Sequence, residues 1–415
     1  MGGGVHLRPP IFFSALRDAS DRSTLALMLD LAAHFSRFLN AEPGRLHFAA
    51  HSHHPWPDAT RAAQLAAWDD AARLIDAKWE EVLGPLLARC QGHVARRLGL
   101  PDPATVAFAP NTHEFAARIL SCLPLHRAPR VLTTDGEFHS FARQIARLEE
   151  EGLVQVERIP SEPGAACLER LVAAARQGFD LIWVSQVFFA SGFVREGLDA
   201  LADAAGDALL VIDGYHAFMA LPVDFSRLAD CAFFTAGGYK YAMAGEGACF
   251  LHCPPDIAPR PRHTGWYAAF GALEGEQHGV AYGPQGWRFW GATFDPSGLY
   301  RLDAAMRWLD EAGVSAAAIH AHAHALQARF VAGLAGTGLE PSRLVVPLEE
   351  TRRGNFLAFD LEDAEAWQAR LAAARIVTDR RGRRLRFGFG LYHRAEDVDA
   401  LLDRLRALPR GGAPA

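Results

Sequence analysis

Short apolar runs alternate with helically spaced segments through the middle of the chain. The runs are rich in Val, Ile, Leu and Phe, and turn or helix signals bound them. Such runs are typical of strands that are buried on both faces, as in a mostly parallel sheet. Strands are predicted at 105–109, 130–134, 153–159, 180–185, 208–213, 231–235 and 247–252. The pattern therefore predicts an α/β fold.

Helical spacing dominates the first hundred residues. It extends over 22–39 and again over 58–98, where Ala, Leu, Arg and Trp recur. The second segment is predicted to form two helices that break near Gly84-Pro85, because proline lacks an amide hydrogen and clashes with the preceding turn.

The pattern changes beyond residue 312. A long helix near 314–335 leads into short apolar runs separated by one helix, and a final helix covers about 394–407. We interpret this part as a smaller α+β domain. The predicted division is a large domain over 44–312 and a small domain made of 1–43 and 313–415.

The composition narrows the class of protein. Half of the 415 residues are hydrophobic, which is enough for a sizeable core and two domains. The formal charge of −6 is spread without a basic, aromatic-rich stripe, so no nucleic-acid partner is predicted. The sequence shows no membrane-spanning run and no secretory-signal pattern, so we expect a cytoplasmic protein without a membrane partner. Its six cysteines form no CxxC pair, which predicts free thiols and no metal site.

Polar residues follow the predicted strands where ligands bind in open α/β sheets, beyond the carboxyl ends of the strands. They include a lysine, an aspartate, histidines, an aromatic ring and several hydroxyl groups. The segments that carry them are 111–113, 135–140, 185–186, 213–216 and 235–240. The combination indicates a cofactor site.

Pyridoxal phosphate is the cofactor that requires this combination. It needs an amine for a Schiff base, an acid opposite its ring nitrogen, an aromatic face and donors for its phosphate. Lys240 supplies the amine and Asp213 the acid. Phe138 or His139 stacks on the ring, and Thr112 lies at a helix start, where the dipole favours an anion. Each residue alone also fits a structural role, such as a cap or a turn, but their order along one sheet favours the cofactor.

The segment from Val211 to Leu251 resembles the cofactor-binding segment of the class V, fold-type I pyridoxal-phosphate enzymes, and among them it is most similar to the kynureninases. The likeness extends over roughly residues 45–405. It implies a three-layer fold-type I architecture with a mostly parallel mixed sheet, and a homodimer with shared active sites. The matching motifs are Asp213-x-x-His216-Ala217, Pro222-Val223-Asp224, Gly238-Tyr239-Lys240-Tyr241 and Gly245-Glu246-Gly247.

The resemblance also assigns roles to single residues. Trp266 and Thr293 correspond to family residues that contact the cofactor phosphate of the neighbouring subunit. Arg386 corresponds to the arginine that holds the substrate's α-carboxylate, and Ser52 lies in the segment that corresponds to the substrate loop. Tyr239 matches a tyrosine credited with phosphate contact and proton transfer. The predicted cofactor-binding residues are Thr112, His113, Phe138, Ser140, Gln186, Asp213, His216, Tyr239, Lys240, Trp266 and Thr293.

Departures from the family pattern lie on the substrate side. Phe188 and Phe189 replace a polar Asn-Tyr corner, so that corner is lost or is supplied by Gln186. Phe141 replaces an aspartate. The cofactor site therefore resembles that of the family, whereas the substrate site differs from it.

The substrate loop has become His51-Ser52-His53-His54. Those histidines fit a loop that lines the substrate, a hydrogen-bonded structural loop or, less well, a metal site, because no acidic or cysteine partner is near in sequence. We predict substrate contacts from Ser52 and His53 and no metal.

The predicted activity is kynureninase-like hydrolysis of the Cβ–Cγ bond of an amino acid, with Lys240, Asp213 and Tyr239 as catalytic residues. The alternatives are a class V aminotransferase, another pyridoxal-phosphate-dependent β-lyase, and a non-catalytic relative that keeps the fold. Retention of Lys240 and Asp213 disfavours the last. Cysteine desulfuration is also disfavoured, because residues 254–415 contain no cysteine to carry the persulfide.

Overall fold

The computed structural model describes residues 29–257, 259–270 and 279–409. The strands in these ranges are β1 (Leu46–His47), β2 (Val106–Ala109), β3 (Arg130–Thr134), β4 (Gln155–Ile159), β5 (Leu181–Ser185), β6 (Leu209–Asp213), β7 (Ala232–Gly237), β8 (Cys249–His252), β9 (Phe356–Asp360), β10 (Ile376–Val377), β11 (Asp379–Arg381) and β12 (Arg384–Gly388). The α-helices are α1 (Ser36–Ala41), α2 (Ala59–Leu74), α3 (Lys78–Glu81), α4 (Leu87–Leu98), α5 (Thr112–Leu120), α6 (His139–Glu150), α7 (Gly164–Ala175), α8 (Leu198–Ala205), α9 (Ser297–Glu311), α10 (Ala316–Ala332), α11 (Ala364–Ala373) and α12 (Ala395–Ala407).

The central sheet has seven strands in the order β2-β8-β7-β6-β5-β3-β4. The pairings from β4 to β7 are parallel, and both pairings of β8 are antiparallel. Every residue of β5, β7 and β8 is buried, as expected for strands covered on both faces. The predicted α/β fold with a mostly parallel mixed sheet is confirmed.

The carboxyl ends of three neighbouring strands lie in register. Ser185 at the end of β5 is paired with Asp213 at the end of β6, and Asp213 is paired with Thr235 in β7. Lys240 follows the end of β7 by three residues. The lysine and the aspartate therefore leave adjacent strands at the same edge of the sheet, where α/β folds bind ligands.

A smaller antiparallel sheet of β11, β12 and β9 lies in the C-terminal part of the chain. Its register pairs Asp379 of β11 directly with Arg386 of β12. A second hydrophobic cluster packs here, and it includes Leu46 and Phe48 because β1 pairs with β10. The predicted smaller α+β unit is confirmed, whereas the division at residues 43 and 313 stays a prediction.

The N-terminal helices differ from the predicted ones in length. Residues 22–28 of the predicted helix at 22–39 lie outside the described residues, and α1 begins only at Ser36. The predicted break near Gly84-Pro85 is confirmed, since Gly84 has φ −102° and ψ −105°. An additional break follows α2 at Ile75, whose φ is +51°. No helix in the described ranges is long and apolar enough to span a bilayer.

Candidate active site

Lys240 lies in a turn just beyond β7, and Gly237 at the end of β7 leaves room for Tyr215 beside it. A side-chain carbon at Gly237 would lie 2.3 Å from the hydroxyl oxygen of Tyr215, which is too close for a real contact. The close packing buries Lys240, which is only 5% exposed. The sequence contains one other lysine, Lys78, so a buried lysine at the edge of the sheet is a specific feature of this position.

Aromatic rings and one histidine surround the Lys240 amine. Its Nζ atom lies 2.6 Å from Nε2 of His216 and 4.9 Å from the centre of the Tyr215 ring. The centres of the Phe138 and Tyr239 rings are each 5.7 Å from Nζ. Burial lowers the pKa of Lys240 to about 7, although the nearby Asp213 opposes the shift. Much of this amine is therefore unprotonated at neutral pH, as a nucleophile requires.

Asp213 ends β6 with a buried carboxylate. Its Oδ1 accepts a 2.9 Å hydrogen bond from the Tyr215 amide. Burial raises the pKa of Asp213, and the Tyr215 amide and the Lys240 amine oppose that shift. The amide of Gln186 donates to the Asp213 carbonyl at 2.8 Å. The side-chain Oε1 of Gln186 is buried and has no hydrogen-bond partner within the described residues.

Three predicted cofactor-binding residues, Thr112, His113 and Ser140, lie at the starts of α5 and α6. Asn111 caps α5 by accepting a 3.1 Å hydrogen bond from a backbone amide of the first turn. Thr112 is half-buried, whereas His113 is exposed and its ring Nδ1 lies 2.8 Å from the Gln144 amide nitrogen. Ser140 is half-buried in the first turn of α6. Because first-turn amides have no partner inside their helix, the start of α5 is suited to an anion.

The substrate loop His51-Ser52-His53-His54 places its residues in two environments. His53 stacks on Tyr239 with ring centres 5.0 Å apart, but its side chain is 69% exposed. Ser52 is half-buried, and its hydroxyl lies 3.4 Å from Nδ1 of His53. His51 is fully buried and stacks on Phe356 at 4.3 Å. Neither ring nitrogen of His51 has a hydrogen-bond partner in the part of the chain that the structure describes.

His51 is a candidate site residue that the predicted set omits. Burial and then the charge of Arg386 hold the pKa of His51 well below its usual value, with a further contribution from Lys240. A side-chain carbon at Gly388 would lie 2.1 Å from Nδ1 of His51. No local sequence signal separates His51 from His53, because the contact with Gly388 joins distant segments of the chain.

Arg386 projects from β12 and lies near His51. It is 2% exposed and donates to the Phe189 carbonyl and to the carboxylate of Asp379. Burial lowers the pKa of Arg386 to about 10, so the guanidinium stays charged at neutral pH. Its Nε is buried without a partner among the described residues. The structure thus brings the predicted carboxylate-binding arginine near Lys240, whose pKa its charge lowers, together with an aspartate that no sequence motif indicated.

Glu137 is a second buried carboxyl group that the predicted set omits. It is hydrogen-bonded to the hydroxyls of Thr134 and Ser185, and Ser185 is the sheet partner of Asp213. Burial raises the pKa of Glu137, and the charge of Arg195 opposes the shift. This network ties the loop after β3 to the strand ends that carry the site.

Trp266 and Thr293 lie on the surface of the chain and in neighbouring segments. The segments meet because Gly265 and Gly291 pack backbone to backbone: a side-chain carbon at Gly265 would lie 2.2 Å from the Gly291 carbonyl oxygen. Trp266 is 45% exposed and Thr293 is also exposed. Within the described ranges, no hydrogen bond or ring contact joins either residue to Lys240. Their contact with the cofactor of a neighbouring subunit stays a prediction.

The donor set fits pyridoxal phosphate. A buried amine, a buried carboxylate on the adjacent strand, aromatic rings and a helix start are the groups that this cofactor needs. The side-chain oxygen of Gln186 and Nε of Arg386 are buried polar atoms that a bound molecule would satisfy.

Several solved structures share this fold. The cystine C-S lyase C-DES, in complex with its reaction product cysteine persulfide, has a TM-score of 0.75 at 18% identity, over 90% of this chain and 100% of that chain. The cysteine desulfurase of Thermococcus onnurineus NA1 has a TM-score of 0.71 at 18% identity, over 94% of this chain and 99% of that chain. The Escherichia coli cysteine desulfurase CsdA has a TM-score of 0.71 at 18% identity, over 90% of this chain and 98% of that chain. No curated protein matches the sequence.

A family profile described as Aminotransferase class-V matches residues 83–401, which is more than half of the chain. The match and the shared fold confirm the predicted fold-type I architecture. Enzymes of this family depend on pyridoxal phosphate, so the prediction of that cofactor is confirmed and the chain belongs to the class V aminotransferase family.

Proposed function

We propose that this protein uses pyridoxal phosphate to cleave a bond at the β-carbon of an α-amino acid, by kynureninase-like hydrolysis of a Cβ–Cγ bond. The observation that carries the proposal is the placement of a buried amine, a buried carboxylate and a buried guanidinium around one site, from Lys240, Asp213 and Arg386. Each of these groups has a separate task on an amino-acid substrate.

Lys240 and Asp213 act on the cofactor side. When bound, pyridoxal phosphate withdraws electrons from the α-carbon of the attached amino acid. The carboxylate of Asp213 would hold the ring nitrogen of the cofactor and so maintain that withdrawal. The Lys240 amine would hold the cofactor, and its pKa of about 7 suits removal of the substrate's α-proton near neutral pH.

His216 and Tyr239 control protons around the amine. Burial and then the charge of Lys240 hold the pKa of His216 well below its usual value, so its ring is neutral, and its Nε2 is hydrogen-bonded to Lys240 Nζ at 2.6 Å. That bond fixes the direction of the amine. Burial raises the pKa of the Tyr239 hydroxyl, so this hydroxyl keeps its proton and can donate it.

Arg386 orients the substrate by its α-carboxylate. The guanidinium is charged, nearly inaccessible to solvent and held in place by the Phe189 carbonyl and the carboxylate of Asp379. A carboxylate that accepts from the unpartnered Nε gains a charge-assisted hydrogen bond in a site of low dielectric. The same contact directs the α-proton towards Lys240.

The kynureninase-like chemistry rests on the sequence motifs and on the aromatic surroundings of the amine, which suit a substrate with an aryl side chain. A β-lyase that breaks a C–S bond is the second candidate, because the cystine C-S lyase C-DES shares the fold. Both reactions begin with loss of the α-proton and differ in the bond that breaks at the β-carbon. A class V aminotransferase differs from both by leaving the substrate's carbon skeleton intact.

The cysteine positions argue against a desulfurase that carries sulfur on its own thiol. Cys231 is exposed, but it precedes β7, whereas Lys240 follows the other end of that strand. A six-residue strand separates such positions by about 20 Å. Cys249 is buried, and burial raises the pKa of its thiol to about 12, so it stays protonated and inaccessible.

The surface supports the predicted homodimer. Trp266 and Thr293 are both exposed on neighbouring segments, and α2 exposes Trp68 at 65%, with Ile75 exposed at 63% just beyond its end. Large exposed apolar residues of this kind mark protein interfaces. We propose that a second copy covers them and that its Trp266 and Thr293 complete the phosphate site.

A product assay tests the proposed function. The holoenzyme is incubated with L-kynurenine, 3-hydroxykynurenine, L-cystine and a panel of other amino acids, and products are identified by mass spectrometry. Alanine together with an aromatic acid supports the hydrolase, pyruvate with a sulfur-containing product supports the β-lyase, and a 2-oxo acid that keeps the carbon skeleton supports the aminotransferase. Lys240→Ala abolishes turnover, whereas Lys78→Ala retains it. If none of the amino acids gives a product, the proposal is contradicted.

A further inference from the structure

The guanidinium of Arg386 is already paired with a carboxylate of the chain itself, that of Asp379. Asp379 accepts from Nη2 of Arg386 through Oδ2, and its Oδ1 accepts from Nη1 of Arg381 at 2.6 Å. Its side chain is 12% exposed, so the bridge is largely shielded from solvent. Neither the cofactor chemistry nor the catalytic residues proposed above account for an acid at this place.

The sheet builds this contact. Asp379 and Arg386 are directly opposite each other in the antiparallel pair β11–β12, and residues opposite each other present their side chains on one face. The backbone of both residues is fixed by the ladder. With Arg386 only 2% exposed, the pair differs from the exposed ion pairs of the surface, which contribute little.

The ion-paired side chains Arg386, Asp379 and Arg381, together called the Arg386 corner, sum to one positive charge. Arg386 and Arg381 are cations, and Asp379 between them is an anion. His51, whose Nε2 lies 3.7 Å from Oδ2 of Asp379, is neutral because burial and Arg386 keep its pKa low. One substrate carboxylate therefore balances the charge of these three side chains, and it finds unpartnered nitrogens at Nε of Arg386 and on the ring of His51.

Resting on the proposed function of Arg386, we propose that Asp379 determines the substrate class: the site takes amino acids whose only carboxylate is the α-carboxylate and disfavours those with an acidic side chain. A second carboxylate enters a corner that the first has already neutralised and meets the like charge of Asp379, which costs binding free energy. Replacing Asp379 by a neutral isostere leaves two positive charges and releases Arg381 for a side-chain carboxylate.

Matched amino-acid pairs test this assignment on the holoenzyme. L-asparagine with L-aspartate, and L-glutamine with L-glutamate, differ within each pair by one charge at nearly equal size. Binding is measured by the change in the cofactor's visible absorption as each amino acid is added. The wild type binds the amide member at least tenfold more tightly, and Asp379→Asn shifts that ratio at least tenfold towards the acid. An unchanged ratio in Asp379→Asn overturns the proposal.

Two further variants separate charge from structure. Asp379→Glu keeps the charge and retains the preference for the amide member, whereas loss of that preference shows that shape rather than charge decides. Arg381→Gln changes a partly exposed residue and remains informative if Asp379→Asn does not fold. It lowers the charge of the corner to zero, so it weakens L-asparagine binding at least threefold. Undiminished binding in Arg381→Gln contradicts the charge count.

The proposed function and this inference fail in different ways. If Arg386→Ala abolishes the response to both members of a pair while Asp379→Asn keeps the wild-type ratio, Arg386 holds the carboxylate and only the role of Asp379 is wrong. If no amino acid of the two pairs or of the product-assay panel changes the cofactor's absorption in the wild type, the proposed function is wrong and the inference falls with it.

Discussion

The cofactor side and the substrate side of this site are built from different kinds of structure. Lys240 and Asp213 extend from the aligned ends of adjacent strands in the central sheet. Arg386 and Asp379 come from the small antiparallel sheet, and His51 comes from a loop near the N-terminus of the described chain. The first side is set by sheet register and the second by packing between segments that are distant in sequence.

The two sides also differ in how their charges are compensated. Lys240 has a neutral histidine as its hydrogen-bond partner, and the carboxylate of Asp213 accepts from one backbone amide. Arg386, in contrast, already has a carboxylate partner in Asp379. The cofactor side is therefore prepared for charges that a bound molecule brings, whereas on the substrate side Asp379 already balances one of the two arginine charges.

The largest expected effect comes from Lys240→Ala, on the cofactor side. Without the amine, both the covalent attachment and the proton transfer are lost, and proton transfer alone contributes about 10²–10⁴-fold to rate. Borohydride reduction followed by peptide mass spectrometry locates the attachment. Because Lys78 is the other lysine of the sequence, Lys78→Ala is the matched control. A cofactor that remains reductively attached to the Lys240→Ala protein refutes the assignment.

Asp213→Asn is expected to lower kcat by about 10²–10³-fold, the usual cost of removing a preorganised electrostatic group. The strand end keeps its shape, because the asparagine oxygen still accepts from the Tyr215 amide. Substrate binding is retained, so the loss appears in kcat rather than in KM. Steady-state kinetics measures kcat and KM separately, and absorbance checks that the variant still carries its cofactor. Near wild-type turnover would mean that Asp213 has no role towards the cofactor ring.

The same comparison explains what the sequence could predict. Strand-end residues such as Asp213 and Lys240 were predictable, because buried strands and the turns after them are local patterns and parallel strands align their ends. Arg386 was predictable through resemblance to a family motif. Asp379 and His51 were not, because their positions depend on the β11–β12 register and on the contact with Gly388. Those contacts join distant segments and leave no local pattern.

Arg386→Ala tests the substrate side and is expected to weaken substrate binding by about 1.5–3 kcal/mol, the contribution of a hydrogen bond to a charged group. The loss falls mainly on KM, because the group acts on the bound carboxylate and not on the proton that moves. Arg147→Ala is the control, since Arg147 forms an exposed pair with Glu151 and is expected to change binding by less than about 1 kcal/mol. Equal effects of the two substitutions would remove the distinction between the buried and the surface arginine.

The pH dependence of cofactor attachment tests how burial and the charge of Asp213 set the pKa of Lys240. With a pKa of about 7 for Lys240, attachment to the apoenzyme is slow below pH 7, where the amine is protonated, and levels off above it. An ordinary lysine continues to gain reactivity up to about pH 10.4. Asp213→Asn shifts the midpoint to lower pH, because Asp213 raises the pKa of Lys240. Stopped-flow absorbance gives the profile, and a rate that still climbs above pH 9 disagrees with a buried amine.

The smallest expected effects separate the two histidines of the substrate loop. His51→Asn is expected to weaken amino-acid binding by about 0.5–1.5 kcal/mol, the net contribution of one hydrogen bond, because His51 is buried beside Arg386 with unpartnered ring nitrogens. His53→Asn is expected to change binding by less than about 0.5 kcal/mol, the usual limit for surface substitutions, since its side chain is 69% exposed and its contact is a stack on Tyr239. Titration of the cofactor's absorption with one amino acid compares both variants on one scale. The reverse order, with His53 the more sensitive, would return the substrate contact to the residue that the sequence pattern favoured and would mean that the loop turns His53 inward when substrate binds.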